Sequence, residues 1–159
     1  MYKEIKGDLL ELFKRGKFRV IAHGANCYNT MGAGIAKQIA DRFPAAYVAD
    51  SFFHDMMSNE EKLGCYSVAG YSSGIIFNLY TQDKPGKSFD INAFNICLYK
   101  LSIYLHKEIN IPDDQITIGL PMIGCGIGGG NWKEVKKSIK KYLKDFDVTV
   151  VKYDPNSSN

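Results

Sequence analysis

Apolar positions along this 159-residue chain fall into two rhythms that alternate from one end to the other. Residues 2–8, YKEIKGD, alternate as a short strand does, and FRVIAHG at 18–24 is a mostly apolar run of strand length that ends in glycine. The period then lengthens. Ile35, Ala36, Ile39, Ala40 and Phe43 share one helical face within MGAGIAKQIADRFP, and Pro44 supplies the stop. GCYSVAG and GIIFNLYT read as two strands joined by a turn at YSSG. From Ser88 to about Ile109 the pattern is a long helix with Phe94, Leu98, Leu101 and Leu105 as its inner stripe. QITIGLP is a further strand. The helix after it has Asn131 as cap and Glu134 three residues on, a variant capping box, with Trp132, Val135, Ile139, Leu143 and Phe146 facing inward and lysines outward. DVTVVKYD is the last strand.

Strands alternating with helices imply an α/β/α sandwich. No repeat or linker-like composition divides the chain, so residues 1–154 are expected to form one domain, with 155–159, PNSSN, a disordered tail. In such sheets ligands bind in loops at the carboxyl ends of the strands. Two glycine-rich loops stand at strand-to-helix junctions here, NTMGAGIAK and PMIGCGIGGG, the second with five glycines in ten positions. Loops of this kind can present several N–H groups and a helix N-terminus to an anion, and two side by side suit a diphosphate. Close packing of helix on strand would also call for glycine. No GxxxxGK[ST] is present, and GAGIAK has Lys37 where a dinucleotide fingerprint has its third glycine.

Composition is that of a soluble globular protein, with 45% hydrophobic and 23% charged residues and a net charge of +3. Cys27, Cys65, Cys97 and Cys125 lack CxxC spacing, which speaks against a metal site and for free thiols in a cytoplasmic protein. No stretch has the length or apolarity to cross a bilayer.

GDLLE, AHGANCYNTMGAGIAKQIADRFP and LPMIGCGIGGGNW together resemble the macrodomain, the ADP-ribose-binding fold, in motif order and separation along nearly the whole chain. The likeness is to the branch of ADP-ribose 1''-phosphate phosphatases and the terminal ADP-ribose glycohydrolase. It implies a three-layer sandwich with a mixed central sheet, no cofactor and no metal. Asp8, with Leu9 beside it, would hold the adenine amino group, although Asp8 also suits a turn after the first strand. Asn26 would contact the distal ribose. Gly32, Ala33, Gly34 and Ile35 would wrap ribose and diphosphate, and Gly124, Cys125, Gly126, Ile127 and Gly128 would close from the other side. Tyr153 would lie against the adenine, or else be a sheet-edge tyrosine.

The catalytic candidates are His23, Asn26, Asn29, Asp83 and Lys84. His23 would sit at the floor of the distal ribose site, as an acid or base or as a hydrogen-bonded structural residue. A thiol route through Cys27 or Cys125 is a rival, since N–H donors around Cys125 could lower its pKa. The glycohydrolase lysine has a counterpart in Lys84, but its aspartate is replaced by Gly128, which disfavours a lysine-linked intermediate. The resemblance therefore implies hydrolysis of ADP-ribose 1''-phosphate, with removal of ADP-ribose from protein or nucleic acid and a binding-only module as alternatives. The expected partners are ADP-ribose, its 1''-phosphate and ADP-ribosylated macromolecules. The protein is expected to be a monomer, and small phosphatases of this branch also occur in bacteriophages.

Overall fold

The computed structural model describes residues 1–156, and the tail expected at 155–159 lies outside the described residues from 157 on. Pro155 and Asn156 form a turn, in which the Asn156 N–H donates to Asp154 Oδ1 at 3.0 Å. The elements run β1 (Tyr2–Gly7), α1 (Leu9–Lys14), β2 (Val20–Asn26), α2 (Gly34–Arg42), α3 (Pro44–Met56), α4 (Asn59–Lys62), β3 (Tyr66–Tyr71), β4 (Gly74–Gln82), α5 (Ile91–Glu108), β5 (Thr117–Leu120), α6 (Trp132–Tyr142) and β6 (Asp147–Tyr153), with a 3-10 turn at Asp113–Gln115.

The sheet is mixed, in the order β1-β6-β5-β2-β4-β3. All neighbours are parallel except β3, which pairs antiparallel with β4 at one edge. Period-two alternation divides the core. Val20 and Ala22 of β2 face α5 and α6, packing with Phe94, Leu98, Leu101 and Ile139, while Ile21 faces α1, α2 and α3, packing with Phe13, Ile39 and Ala46. Each fully buried aliphatic or aromatic side chain of this kind contributes roughly 1.5–3 kcal/mol of transfer free energy. Among the described residues no helix is long and apolar enough to cross a membrane.

Three sequence expectations need correction. Pro44 does not merely end α2; it is the first residue of α3, where its missing N–H costs nothing because that position has no intrahelical partner. Asn131 caps α6 through the Lys133 N–H at 2.9 Å rather than through that of Glu134, so no capping box forms. Phe146 is buried as expected but lies beyond the end of α6.

Beneath α3 and α4 the core is polar. Lys62 is fully buried, with its Nζ 3.4 Å from Asp50 Oδ1, 3.3 Å from His54 Nδ1 and 4.6 Å from the centre of the Tyr80 ring. The Tyr80 hydroxyl donates to Asp50 Oδ1 at 2.7 Å and accepts from Ser67 Oγ at 2.7 Å. Ser67 Oγ in turn accepts from Asn78 Nδ2 at 3.0 Å. The chain of bonds ties β3 and β4 to the helices above them. Removing the lysine would leave the Asp50 charge buried alone. Lys62→Ala is expected to lower stability by about 3–5 kcal/mol, measured by urea unfolding; a loss well under 1 kcal/mol would show that the pair is not the buried ion pair described.

Candidate functional site

Strand direction builds the site. β1, β2, β5 and β6 deliver their carboxyl ends to one edge of the sheet, where the loops after β2 and β5 face each other. Two adjoining cavities open there. One, of about 520 Å³, is lined by residues that include Asp8, Leu9, Gly34, Ile35, Cys125, Gly126, Lys152 and Tyr153. The other, of about 420 Å³, is lined by residues that include Asn26, Thr30, Gly32, Ala33, Gln82, Pro85, Ile127 and Gly128. Both loops line both cavities, which form one cleft. Each volume falls in the ~300–1,000 Å³ span of small-molecule sites.

Asp8 serves two purposes. It is the N-cap of α1, with Oδ1 accepting from the Leu10 and Glu11 N–H groups at 3.0 and 3.2 Å and 3.7 Å from Arg42 Nη1. Those bonds all fall on Oδ1, and the residue also borders the larger cavity. Tyr153, 65% exposed, stands at the end of β6 on the same cavity. Lys152 lines it too, but its Nζ is 3.1 Å from Glu4 Oε1.

α2 begins at Gly34 with Ala33 as N-cap, no side-chain hydrogen bond and no acidic residue in its first turn. Its leading N–H groups therefore meet the cleft uncapped, a ready place for an anion. Across from them the β5–α6 loop uses its glycines for two different ends. At Gly124 (φ +75°) an added Cβ would come within 2.3 Å of the Phe89 ring, so this glycine lets the loop fold over Phe89 and does not itself line either cavity. At Gly126 nothing lies within 4 Å of an added Cβ, and the residue borders the larger cavity. No protein neighbour accounts for glycine there; close approach of a ligand would. The Phe89 N–H donates to Gly128 O at 3.2 Å, pinning this loop to the one after β4.

A register shift between Ala25 and Asn26 sets Asn26 opposite Gln82. The Asn26 amide is fully employed within its own loop, donating to Thr30 O and Thr30 Oγ1 at 2.9 and 2.8 Å and accepting from the Tyr28 N–H at 2.8 Å. It shapes the wall of the smaller cavity. Asn29 (φ 59°) is turned the other way, with Oδ1 accepting from Ser51 Oγ at 3.1 Å, and it lines neither cavity.

The remaining catalytic candidates are not brought to the cleft. Asp83 and Lys84 are exposed and line neither cavity; their carbonyls instead accept from the Cys27 N–H and from Gln82 Nε2. Gln82 reaches the smaller cavity in their place. His23 is fully buried in the α3 layer. Asn78 Nδ2 donates to Ala46 O and Ser67 Oγ, so Asn78 Oδ1 accepts, and His23 carries its proton on the Nε2 bonded to it at 2.6 Å. Burial holds the imidazole below its ordinary pKa. Burial likewise raises both thiols, Cys27 to about 11 and Cys125 above its ordinary value, so neither is poised as a thiolate nucleophile.

The profile of the Macro domain family matches residues 22–139. An uncharacterized 17.5 kDa protein from the tk-vs intergenic region of Enterobacteria phage T4 is 37% identical over 96% of this chain and 97% of its own length. An ADP-ribose 1''-phosphate phosphatase of Saccharomyces cerevisiae is 26% identical over 92% of this chain and 95% of its own. The solved macrodomain of Mycobacterium tuberculosis DarG superposes with a TM-score of 0.76, at 26% identity, covering 98% of this chain and 99% of that one.

The core position of His23 predicts a pH dependence. An unfolded chain protonates this residue near 6.5, whereas the folded chain resists the proton, so acidification favours unfolding. Stability is expected to fall as pH drops below about 6.5, and His23→Gln is expected to flatten that slope, read from urea midpoints at a series of pH values. An unchanged slope would remove His23 from the core position described.

Proposed function

The chain belongs to the macrodomain family, and on that premise we propose that it binds ADP-ribose and hydrolyses ADP-ribose 1''-phosphate to ADP-ribose and phosphate. The observation that carries the ligand reading is the uncapped start of α2 facing Gly126 across the cleft. Backbone N–H groups from both sides would hold the diphosphate there. The adenine would lie in the larger cavity, its amino group donating to Asp8 and its ring against Tyr153. The distal ribose would enter the smaller cavity beside Asn26, Thr30 and Gln82. The phosphatase relative from yeast supports the choice of substrate.

In this reading water attacks phosphorus, the bond from phosphorus to the 1''-oxygen breaks, and that oxygen leaves with a proton. The side chains that line the smaller cavity include no carboxylate, imidazole, amine or thiol. The protein's contribution is then positioning of the water and phosphoryl group, together with stabilisation of charge by main-chain N–H groups and the Thr30 hydroxyl. Lys84 and a cysteine nucleophile have no part in it.

Calorimetry with ADP-ribose, followed by phosphate release from ADP-ribose 1''-phosphate, tests both halves. Gly126→Val is expected to weaken binding at least ~tenfold, about 1.4 kcal/mol, while Lys84→Ala retains binding and turnover. Binding without phosphate release would leave a binding module or a hydrolase of another ADP-ribose linkage. Loss of turnover in Lys84→Ala would restore the lysine route, and no binding at all would overturn the ligand.

A further inference from the structure

The two edges of the sheet are finished differently. β1, YKEIKG, carries Lys3, Glu4 and Lys6 along one edge, charges of the kind that discourage pairing with another chain. β3, YSVAGY, forms the other edge and has no charge and no proline, and its register with β4 runs without a bulge. Among the described residues no strand pairs with its outer side.

Of the two helices that flank β3, α3 is apolar on that side and α5 is mixed. α3 exposes Val48, Phe52 and Met56, the last two at 67% and 69%, and a groove of about 500 Å³ runs between α3 and β3. On the opposite face α5 exposes Ile96 and Ile103, and Ile103 borders a second groove beside Tyr66 of β3 that Lys100, Lys107 and Glu108 also line. Val68 is exposed on the strand between them. Apart from Met1 and Tyr28, the other large apolar side chains left exposed among the described residues belong either to the helices here or to the cleft. The six residues present on the order of 600 Å² before the strand's backbone is counted, against about 800 Å² per partner in a standard interface.

In place of the monomer expected from the sequence, we infer that this edge is a homodimer interface in which β3 pairs antiparallel with β3 of a second copy. The strand and α3 are apolar at the edge, and α5 adds Ile96 and Ile103 among charges of both signs, so the occupant must present a helix on each face of a strand. A lone extended peptide would leave both helices uncovered. The chain itself is such a three-layer body. A two-fold axis normal to the sheet sets α3 against its own copy on one face and α5 against its own on the other, the self-complementary arrangement of a closed dimer. Neither cavity of the cleft includes a residue of β3, so both clefts stay open and act independently.

Sedimentation equilibrium across about 1–100 μM tests this. The wild-type chain is expected to sediment at twice its 17.8 kDa mass. Val68→Lys sets like charges close across the axis, and Phe52→Glu charges the α3 face without touching the strand; each is expected to weaken association at least tenfold with an unchanged far-ultraviolet spectrum. Should Val68→Lys fail to fold, Phe52→Glu decides alone. A wild-type monomer at every concentration, which would leave the edge to a foreign partner, overturns the inference. So does a dimer indifferent to both substitutions.

Discussion

Parallel strand pairing is the constraint from which the rest of this architecture follows. Two parallel neighbours cannot be joined by a hairpin; the chain must cross a face of the sheet between them, and a helix is the compact way to do so. Five of the six strands are parallel, so helices cover both faces and strand residues are buried on both sides, as the division of Val20 and Ile21 between two core clusters shows. The same constraint sends every strand-to-helix loop of the parallel set to one edge. The cleft is the space between those loops, and the charged edge at β1 and the apolar edge at β3 both lie to its sides.

Within that frame the cleft is preorganised by bonds the protein makes to itself. Asn26 spends its amide on its own loop, Gln82 donates to Lys84 O and Gly86 O, and Phe89 fills the hollow under Gly124 and Gly130. The loops are thus set before any ligand arrives, and ordering them on binding costs little conformational entropy. What stays open is the backbone at the start of α2 and around Gly126. A ligand contacting main-chain N–H groups is held by geometry that single side-chain substitutions alter only by adding bulk.

The glycine loops are legible in the sequence because strand and helix periods locate the junctions, and little besides an anion or close packing calls for so many small residues there. α3 is not legible. Pro44 has two meanings at a helix boundary, and the helix is apolar both inward at Ala46 and outward at Val48 and Phe52, which erases the single stripe that marks an amphipathic helix. Nearness to Asn26 in sequence suggests the cleft for His23. Depth along the strand decides otherwise: Gly24, Ala25 and Asn26 at the carboxyl end of β2 border the smaller cavity, while His23, one residue earlier, lies buried in the α3 layer against Asn78. The sequence pattern marks where β2 ends only to within a few residues, not which residue first clears the core. Gln82 takes the place expected of Lys84 for a related reason, since the path of a loop after its last ladder pair carries no periodic signal.

Gly128 bears on the substrate more than its missing side chain suggests. A carboxylate at this position would adjoin whatever occupies the smaller cavity, and it would meet tight space, with Gly124 O 3.1 Å and Gln82 Oε1 3.2 Å from an added Cβ. For a substrate ending in a phosphate, it would also set like charges close together; at ~4 Å and an effective dielectric of about 20 a single pair costs about 4 kcal/mol. A neutral ester linkage would incur no such repulsion and would gain a group able to activate water. A cavity lined by two amides, a hydroxyl and small or apolar residues, with Lys84 left outside it, would therefore suit a substrate whose reacting group brings its own negative charge. Under the proposed function, the absence of the carboxylate would be what admits the phosphate.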